Sequence, residues 1–257
     1  MSLSNFHTHT SFCDGKDSIR DIVEKAIELG CDKIGFSGHS YTETGDKEPY
    51  CMSIDATQQY KTEIRKLKIK YQGKIDIYLG IERDYFSADT SKDYDYSIGS
   101  VHYVFKDGVY IPVDESKELQ IKAVENHYNG DFYSFVEDYY KLVGDIYNKT
   151  KCDIVGHFDV ITKFNENNDL FDTKNERYIT ASENAVKKLL NKGLYFEINY
   201  GAVARNYRTT PYPEQRILDL ITGNNENLIY SSDCHNKDYL LFGIEKENCF
   251  VPKSKDL

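Results

Sequence analysis

The sequence predicts an α/β fold, a closed parallel barrel of about seven strand–helix units, in one domain over residues 1–257. Three observations predict it. Strand and helix signals alternate from end to end, with no Pro/Gly/Ser-rich linker, low-complexity run or repeat between them. Six of the seven histidines fall at or just past the C-terminal end of an expected strand, the face on which barrel active sites gather. The hydrophobic fraction is 40%, and 22 Tyr and 13 Phe supply bulk for a sizeable core without any Trp.

The first element carries Phe6-His7-Thr8-His9. Side chains alternate along an extended segment, so His7 and His9 share a face. By itself such a pair fits a transition-metal site and an ordinary solvated strand equally. A polar loop, 13–17, then leads into a helix from about Ser18, with Ile19, Ile22, Val23, Ala26, Ile27 and Leu29 as its stripe and Gly30 as its stop. Residues 33–37 read as a strand followed at once by Gly38-His39-Ser40. Residues 53–71 are helical, and the strand 75–81 delivers Glu82.

A further strand, 96–101, delivers His102, and a hairpin of 103–105 and 109–111 turns on Asp107-Gly108. Residues 114–130 are polar and suggest no element; His127 among them is expected to be solvated. An aromatic-rich helix over 132–148 precedes the strand 153–156, which ends at His157. A helix over 175–191 stops at Gly193, and the strand 194–199 carries Glu197 and Asn199. A loop with Arg205 and Arg208 leads to a helix near 213–221, and the strand 227–231 ends at Asp233 and His235.

A net charge of −10 argues against a duplex nucleic-acid partner, which calls for a basic face. It leaves room for a phosphorylated small molecule, because bound metal ions can supply local positive charge. The six cysteines form no CxxC pair, which fits reduced thiols in the cytoplasm. Neither a leader nor a bilayer-spanning run is expected, so a cytoplasmic location with no membrane partner follows. Oligomeric state is not legible.

The histidines at strand ends arrive with carboxylates, and desolvating so many polar groups together needs compensation. Mixed imidazole and carboxylate donors suit Zn, Mn or Fe. His7, His9, Asp14, His39, Glu82, His102, His157, Asp233 and His235 are nine candidate ligands, enough for two or three divalent ions. Three ions against Asp14, Glu82 and Asp233 would leave about +3, an environment that attracts phosphate. Asp14 also fits a plain Asp-Gly turn.

His7-Thr8-His9, Gly38-His39-Ser40, Gly80-Ile81-Glu82, Gly99-Ser100-Val101-His102, Gly156-His157-Phe158-Asp159, Glu197-Ile198-Asn199 and Ser232-Asp233-Cys234-His235 together resemble the polymerase-and-histidinol-phosphatase (PHP) family of metal-dependent phosphoesterases. The matching pieces run from end to end in family order. The resemblance implies a distorted (β/α)7 TIM-like barrel with a trinuclear metal site at the C-terminal ends of the strands. It implies one metal on His7, His9, Glu82 and Asp233, a second on Glu82, His102 and His157, and a third on His39, His235 and Asp14. Some relatives carry histidine in the Asp14 loop.

The Ser100-Val101-His102-Tyr103 stretch with its insert, and the aromatic helix before His157, look like the monofunctional histidinol-phosphate phosphatases. That resemblance implies hydrolysis of L-histidinol phosphate, in histidine biosynthesis, by in-line attack of a metal-bridged hydroxide. Arg205 stands about where those enzymes place a phosphate-binding arginine, and a planar guanidinium can bind two phosphate oxygens at once. Arg208 is a second candidate, and either arginine could equally be a solvated loop residue. Relatives often have arginine after Gly-His-x-Asp, where this chain has Thr162-Lys163; Lys163 would serve as a point charge only. Asp233 or His235 could assist the leaving oxygen. Glu197 and Asn199 are candidate substrate contacts, or hydrogen-bonding residues inside the barrel. Two alternatives stay open: a PHP enzyme for a sugar phosphate or nucleotide, selected by loops 41–51 and 85–95, and a non-catalytic metal-binding PHP module.

Overall fold

The computed structural model describes residues 3–44, 50–90, 92–245 and 248–252. Parts of both loops expected to select substrate, residues 45–49 and 91, lie outside them. The frame is one seven-stranded sheet in the order β1-β2-β3-β4-β7-β8-β9, parallel throughout. In chain order its strands and the elements between them are β1 (Ser4–Asn5), α1 (Ile19–Glu28), β2 (Lys33–Phe36), α2 (Ile54–Lys70), β3 (Asp76–Asp84) and β4 (Tyr96–Ser100). An antiparallel hairpin follows, β5 (Tyr103–Lys106) and β6 (Val109–Pro112), and then α3 (Lys117–His127), α4 (Phe132–Val143) and α5 (Ile146–Thr150). The rest is β7 (Ile154–Val155), α6 (Glu176–Leu189), β8 (Tyr195–Asn199), α7 (Gly201–Ala204), α8 (Gln215–Gly223) and β9 (Asn227–Ser231).

The sheet closes just past β1 and β9. The His9 amide donates to the Cys234 carbonyl at 2.8 Å, and the Cys234 amide to the His7 carbonyl at 3.0 Å. The barrel is therefore joined at its C-terminal rim, where the metal-ligand candidates sit. Opposite that rim, Phe6, Tyr96, Ile98, Ile154 and Ile229 pack together with Phe250 from the C-terminal segment. Residues from strands so far apart in sheet order can meet only across the barrel axis. Helices cover the outside: Ile77, Leu79 and Ile81 of β3 pack with α1 and α2, which turns Glu82 and Asp84 of the alternate face inward.

Local rules account for most boundaries. Ser18, Ser53 and Asn175 cap α1, α2 and α6 through their side chains, as small polar residues do before a helix. Four expectations need correction. The β3–β4 connection, 85–95, contains no helix among its described residues, so the repeat is not a strict strand–helix alternation. The stretch read as featureless holds α3, capped by Ser116 and anchored by buried Val124 and Gln120, whose amide donates to the carbonyls of Val113 and Ile161. The helix over 132–148 breaks into α4 and α5 at Gly144, where a Cβ would meet the Ala185 Cα of α6 at 3.1 Å. His127 is not simply solvated, for its Nδ1 lies 3.1 Å from Asp107 at the hairpin turn. All six cysteines are free, and no described helix is long and apolar enough to cross a membrane.

Candidate metal centre

Glu82 is the hub. It lies on the inward face of β3, two residues before the strand ends at Asp84, fully buried, and its two oxygens divide the surrounding imidazoles. Oε2 lies 3.3 Å from His7 Nε2, 3.5 Å from His9 Nε2 and 2.9 Å from His39 Nδ1. Oε1 lies 3.0 Å from His157 Nε2 and 3.6 Å from His102 Nε2, and it accepts from Ser100 Oγ. Asp233 Oδ1 approaches His9 Nε2 at 3.2 Å and His7 Nε2 at 3.6 Å. Asp14 is more than a turn residue, with Oδ2 3.0 Å from His235 Nε2 and 3.6 Å from His39 Nε2.

These side chains form four overlapping donor clusters: His9, Asp14, His39 and His235; His7, His9 and Asp233; His7, Glu82 and His157; His39, Glu82 and His102. All nine expected ligand residues are thus brought together. The grouping differs in detail from the family resemblance, because His39 also reaches Glu82 and His9 also joins the Asp14 cluster.

A divalent ion fits this site on its own evidence. His7 Nε2 and His9 Nε2 lie within 3.5 Å of Glu82 Oε2, and these three buried atoms make no hydrogen bond of acceptable geometry among the described residues. Orphaned polar atoms of this kind are costly unless something else binds them. The electrostatics agree. Burial opposes charge on His7, but Glu197, Glu82 and Asp233 outweigh it and hold its pKa well above the usual value. His9 is pushed down to about 3 by burial and by its neighbours His235 and His39. Burial would raise Glu82, yet His7, His39 and His102 keep it well below the carboxylate range. Burial would raise Asp233 too, and Arg205 and His7 hold it down.

A second layer fixes the imidazoles. Glu197 accepts from His7 Nδ1 at 2.6 Å, from the His157 amide at 2.8 Å, from Asn199 Nδ2 at 2.9 Å, and from Ser231 Oγ. Asp84 accepts from the His102 amide at 2.9 Å and faces its Nδ1 at 3.4 Å. Asp84 was not singled out in the sequence, although its place two residues after Glu82 on one strand face was the available signal. Asp233 adopts a left-handed conformation, φ 46°, and its carboxylate lies against the backbone of Gly201, where a Cβ would come within 2.6 Å of Oδ2.

Beside the centre opens a cavity of about 720 Å³, lined by Asp14, His39, His102, His157, Asp233 and His235, by Arg205 and Lys163, by Asp114 and Glu115, and by Tyr50, Tyr103, Tyr207 and Tyr212. Arg205 borders it with its guanidinium tied on one side: Nη1 lies 2.6 Å from His235 Nδ1 and 3.2 Å from the Asp233 carbonyl, and Nη2 donates to Asp233 Oδ2 at 3.1 Å. Lys163 also borders it. Three expected substrate contacts do not. Arg208 is buried behind Tyr212, over whose ring it stacks at 4.7 Å, and it donates to Thr162. Glu197 and Asn199 lie beneath the donor clusters rather than on the cavity wall.

The PHP domain model matches residues 5–201. The chain is 29% identical over 254 residues to a probable histidinol-phosphatase of Schizosaccharomyces pombe, covering 91% of this chain and 81% of that one. It is 27% identical over 262 residues to a histidinol-phosphatase of Bacillus subtilis, covering 91% and 94%. Among solved structures, a candidate histidinol phosphatase from Listeria monocytogenes superposes with a TM-score of 0.80 at 22% identity, over 93% of this chain and 98% of that one. The Lactococcus lactis histidinol phosphate phosphatase, solved with zinc, L-histidinol and phosphate, superposes with a TM-score of 0.67 at 18% identity, over 92% and 87%.

Proposed function

The chain belongs to the PHP domain family, and from that premise we propose that it is a divalent-metal-dependent phosphomonoesterase that hydrolyses L-histidinol phosphate to L-histidinol and phosphate. The observation that carries the reading is the convergence of buried, unpartnered imidazole and carboxylate atoms around Glu82, on the wall of a cavity that also presents Arg205. The names of the relatives, and the ligands of the Lactococcus lactis protein, support the choice of substrate.

In this reading His7, His9, Glu82 and Asp233 would hold one ion, Glu82, His102 and His157 a second, and His39, His235 and Asp14 a third. Ions of the Zn, Mn or Fe type bound there would polarise a phosphoryl oxygen and make hydroxide available near neutral pH.

The remaining work falls to the chain's own groups. Two of the five guanidinium N–H groups of Arg205 point to the Asp233 carbonyl and His235 Nδ1, and a third to Asp233 Oδ2. Two are left for phosphate oxygens. Asp233 and His235 therefore serve catalysis by holding Arg205 in place, since Asp233 Oδ1 faces the centre and Oδ2 is spent on the arginine. Neither oxygen is free to carry a proton to the leaving group. Lys163 adds positive charge on the same wall but is fixed by Asp114, 2.7 Å from its carbonyl and 3.2 Å from Oδ2.

The test is a substrate panel on metal-loaded protein: L-histidinol phosphate, a sugar phosphate, a nucleoside monophosphate and p-nitrophenyl phosphate. Turnover of the histidinol ester well above the others is expected. Preference for a sugar phosphate or nucleotide would discard the substrate, and no hydrolysis of any ester by metal-loaded protein would discard the enzyme.

A further inference from the structure

Metal donors, Arg205 and Lys163 make one side of the cavity suited to an anion. Two lining residues have the opposite sign and belong to no donor cluster, Asp114 and Glu115. They lie two and three residues past the end of β6, so the hairpin between β4 and α3 is what brings them to the cavity. Asp114 is held by Lys163 through its carbonyl at 2.7 Å and Oδ2 at 3.2 Å, while its Oδ1 accepts no hydrogen bond from any described residue. Lys163 cancels one of the two negative charges, so −2 and +1 leave this wall at −1. Aromatic faces stand alongside: Tyr50 and Tyr103 stack at 6.0 Å and 25°. A carboxylate oxygen without a partner, beside aromatic rings in one cavity, suits an organic cation.

We propose that Asp114, with Glu115 beside it, receives the ammonium group of the substrate, so that the cavity selects phosphate monoesters of amino alcohols over uncharged alcohol phosphates. The inference rests on the proposed function, which seats the phosphate at the donor centre. Selection then has two sides. An amine-bearing ester gains a charge-assisted hydrogen bond at Asp114, whereas an ester without the amine leaves a net negative wall facing an anionic substrate.

The test compares L-histidinol phosphate with its deamino analogue, the same ester with hydrogen in place of the amine, on the metal-loaded full chain. Wild type is expected to favour the amine ester about tenfold or more in kcat/KM, mostly through KM, the size of one charged hydrogen bond. Asp114→Asn should shrink the preference to about threefold or less, while Asp114→Glu, which keeps the charge, should restore most of it. The wild-type comparison needs no variant to fold. Equal use of both esters by wild type overturns the inference and leaves the phosphatase standing, as does a preference that survives in Asp114→Asn. Hydrolysis of the deamino ester with none of L-histidinol phosphate overturns both.

Discussion

Nδ1 of His7 lies 2.6 Å from Oε1 of Glu197, a buried hydrogen bond between residues 190 positions apart. Because Glu197 sits on β8 and reaches past β9 to the end of β1, the contact exists only once the barrel has closed. A carboxylate at Nδ1 fixes a proton there and leaves Nε2, which faces Glu82 and Asp233, as the nitrogen that would bind an ion once the ring gives up its second proton. The same carboxylate takes the His157 amide, so one side chain sets two candidate ligands at once.

Glu197→Gln keeps the shape of this side chain and loses its charge. An amide can present only one acceptor oxygen where several donors now converge. Metal affinity is expected to fall about 10–100-fold, the usual effect of removing such a supporting carboxylate. Competition titration against a chromophoric chelator reads it, and an unchanged affinity would contradict the role given to Glu197.

His9→Ala and Asp233→Ala each remove a donor from the cluster that His7 completes. Turnover is expected to drop to about a thousandth of wild type or less, about 4 kcal/mol in the barrier. The far-ultraviolet spectrum should stay native, because neither side chain belongs to the apolar clusters. Full activity in either variant would remove the metal assignment.

Gly201→Ala puts a methyl group 2.6 Å from Asp233 Oδ2. The carboxylate must move, and Arg205, which donates to that same oxygen, moves with it. We expect kcat to fall about tenfold or more with a modest loss of stability, about 1–3 kcal/mol for overpacking. Wild-type kcat in this variant would show that the Asp233–Arg205 pair tolerates displacement.

Asp131 joins α4 to α6: it caps α4 through the Tyr133 and Ser134 amides and pairs with Arg177 at 2.8 Å. Burial would raise its pKa, but Arg177 and Ser134 hydrogen-bond the charged form and lower it. A depressed folded-state pKa adds stability that is present above the unfolded carboxylate value and is lost as pH falls through the folded one. Asp131→Asn, which keeps the cap, should therefore cost about 1 kcal/mol or less at neutral pH, and the cost should begin to shrink below about pH 4 and vanish only below the lowered folded-state value. Urea unfolding at pH 7 and pH 3.5 checks the sign. A cost that grows on acidification would contradict it.

Much of this centre was legible because histidines and carboxylates stand where apolar strands end, a position readable in one dimension. What the sequence could not rank was depth. Glu197 and Asn199 alternate onto the inner face as expected, but only the closed barrel shows that they lie under the donors and off the cavity wall. Arg205 and Arg208 are three residues apart in an irregular segment without a dependable period, so nothing local says that one borders the cavity while the other stacks behind Tyr212. Helix α3 was missed because a buried amide, Gln120, does work that a hydrophobic residue usually does in a helical stripe.

The most direct measurement is phosphate release from L-histidinol phosphate by one preparation, assayed as loaded with Mn, Zn or Fe, after stripping with a chelator, and after metal is returned, with bound ions counted at each stage. Two or three ions per chain are expected, with activity lost when they are removed and regained on their return. Phosphate release that continues in stripped protein, or a fully loaded chain that releases none, would contradict this expectation.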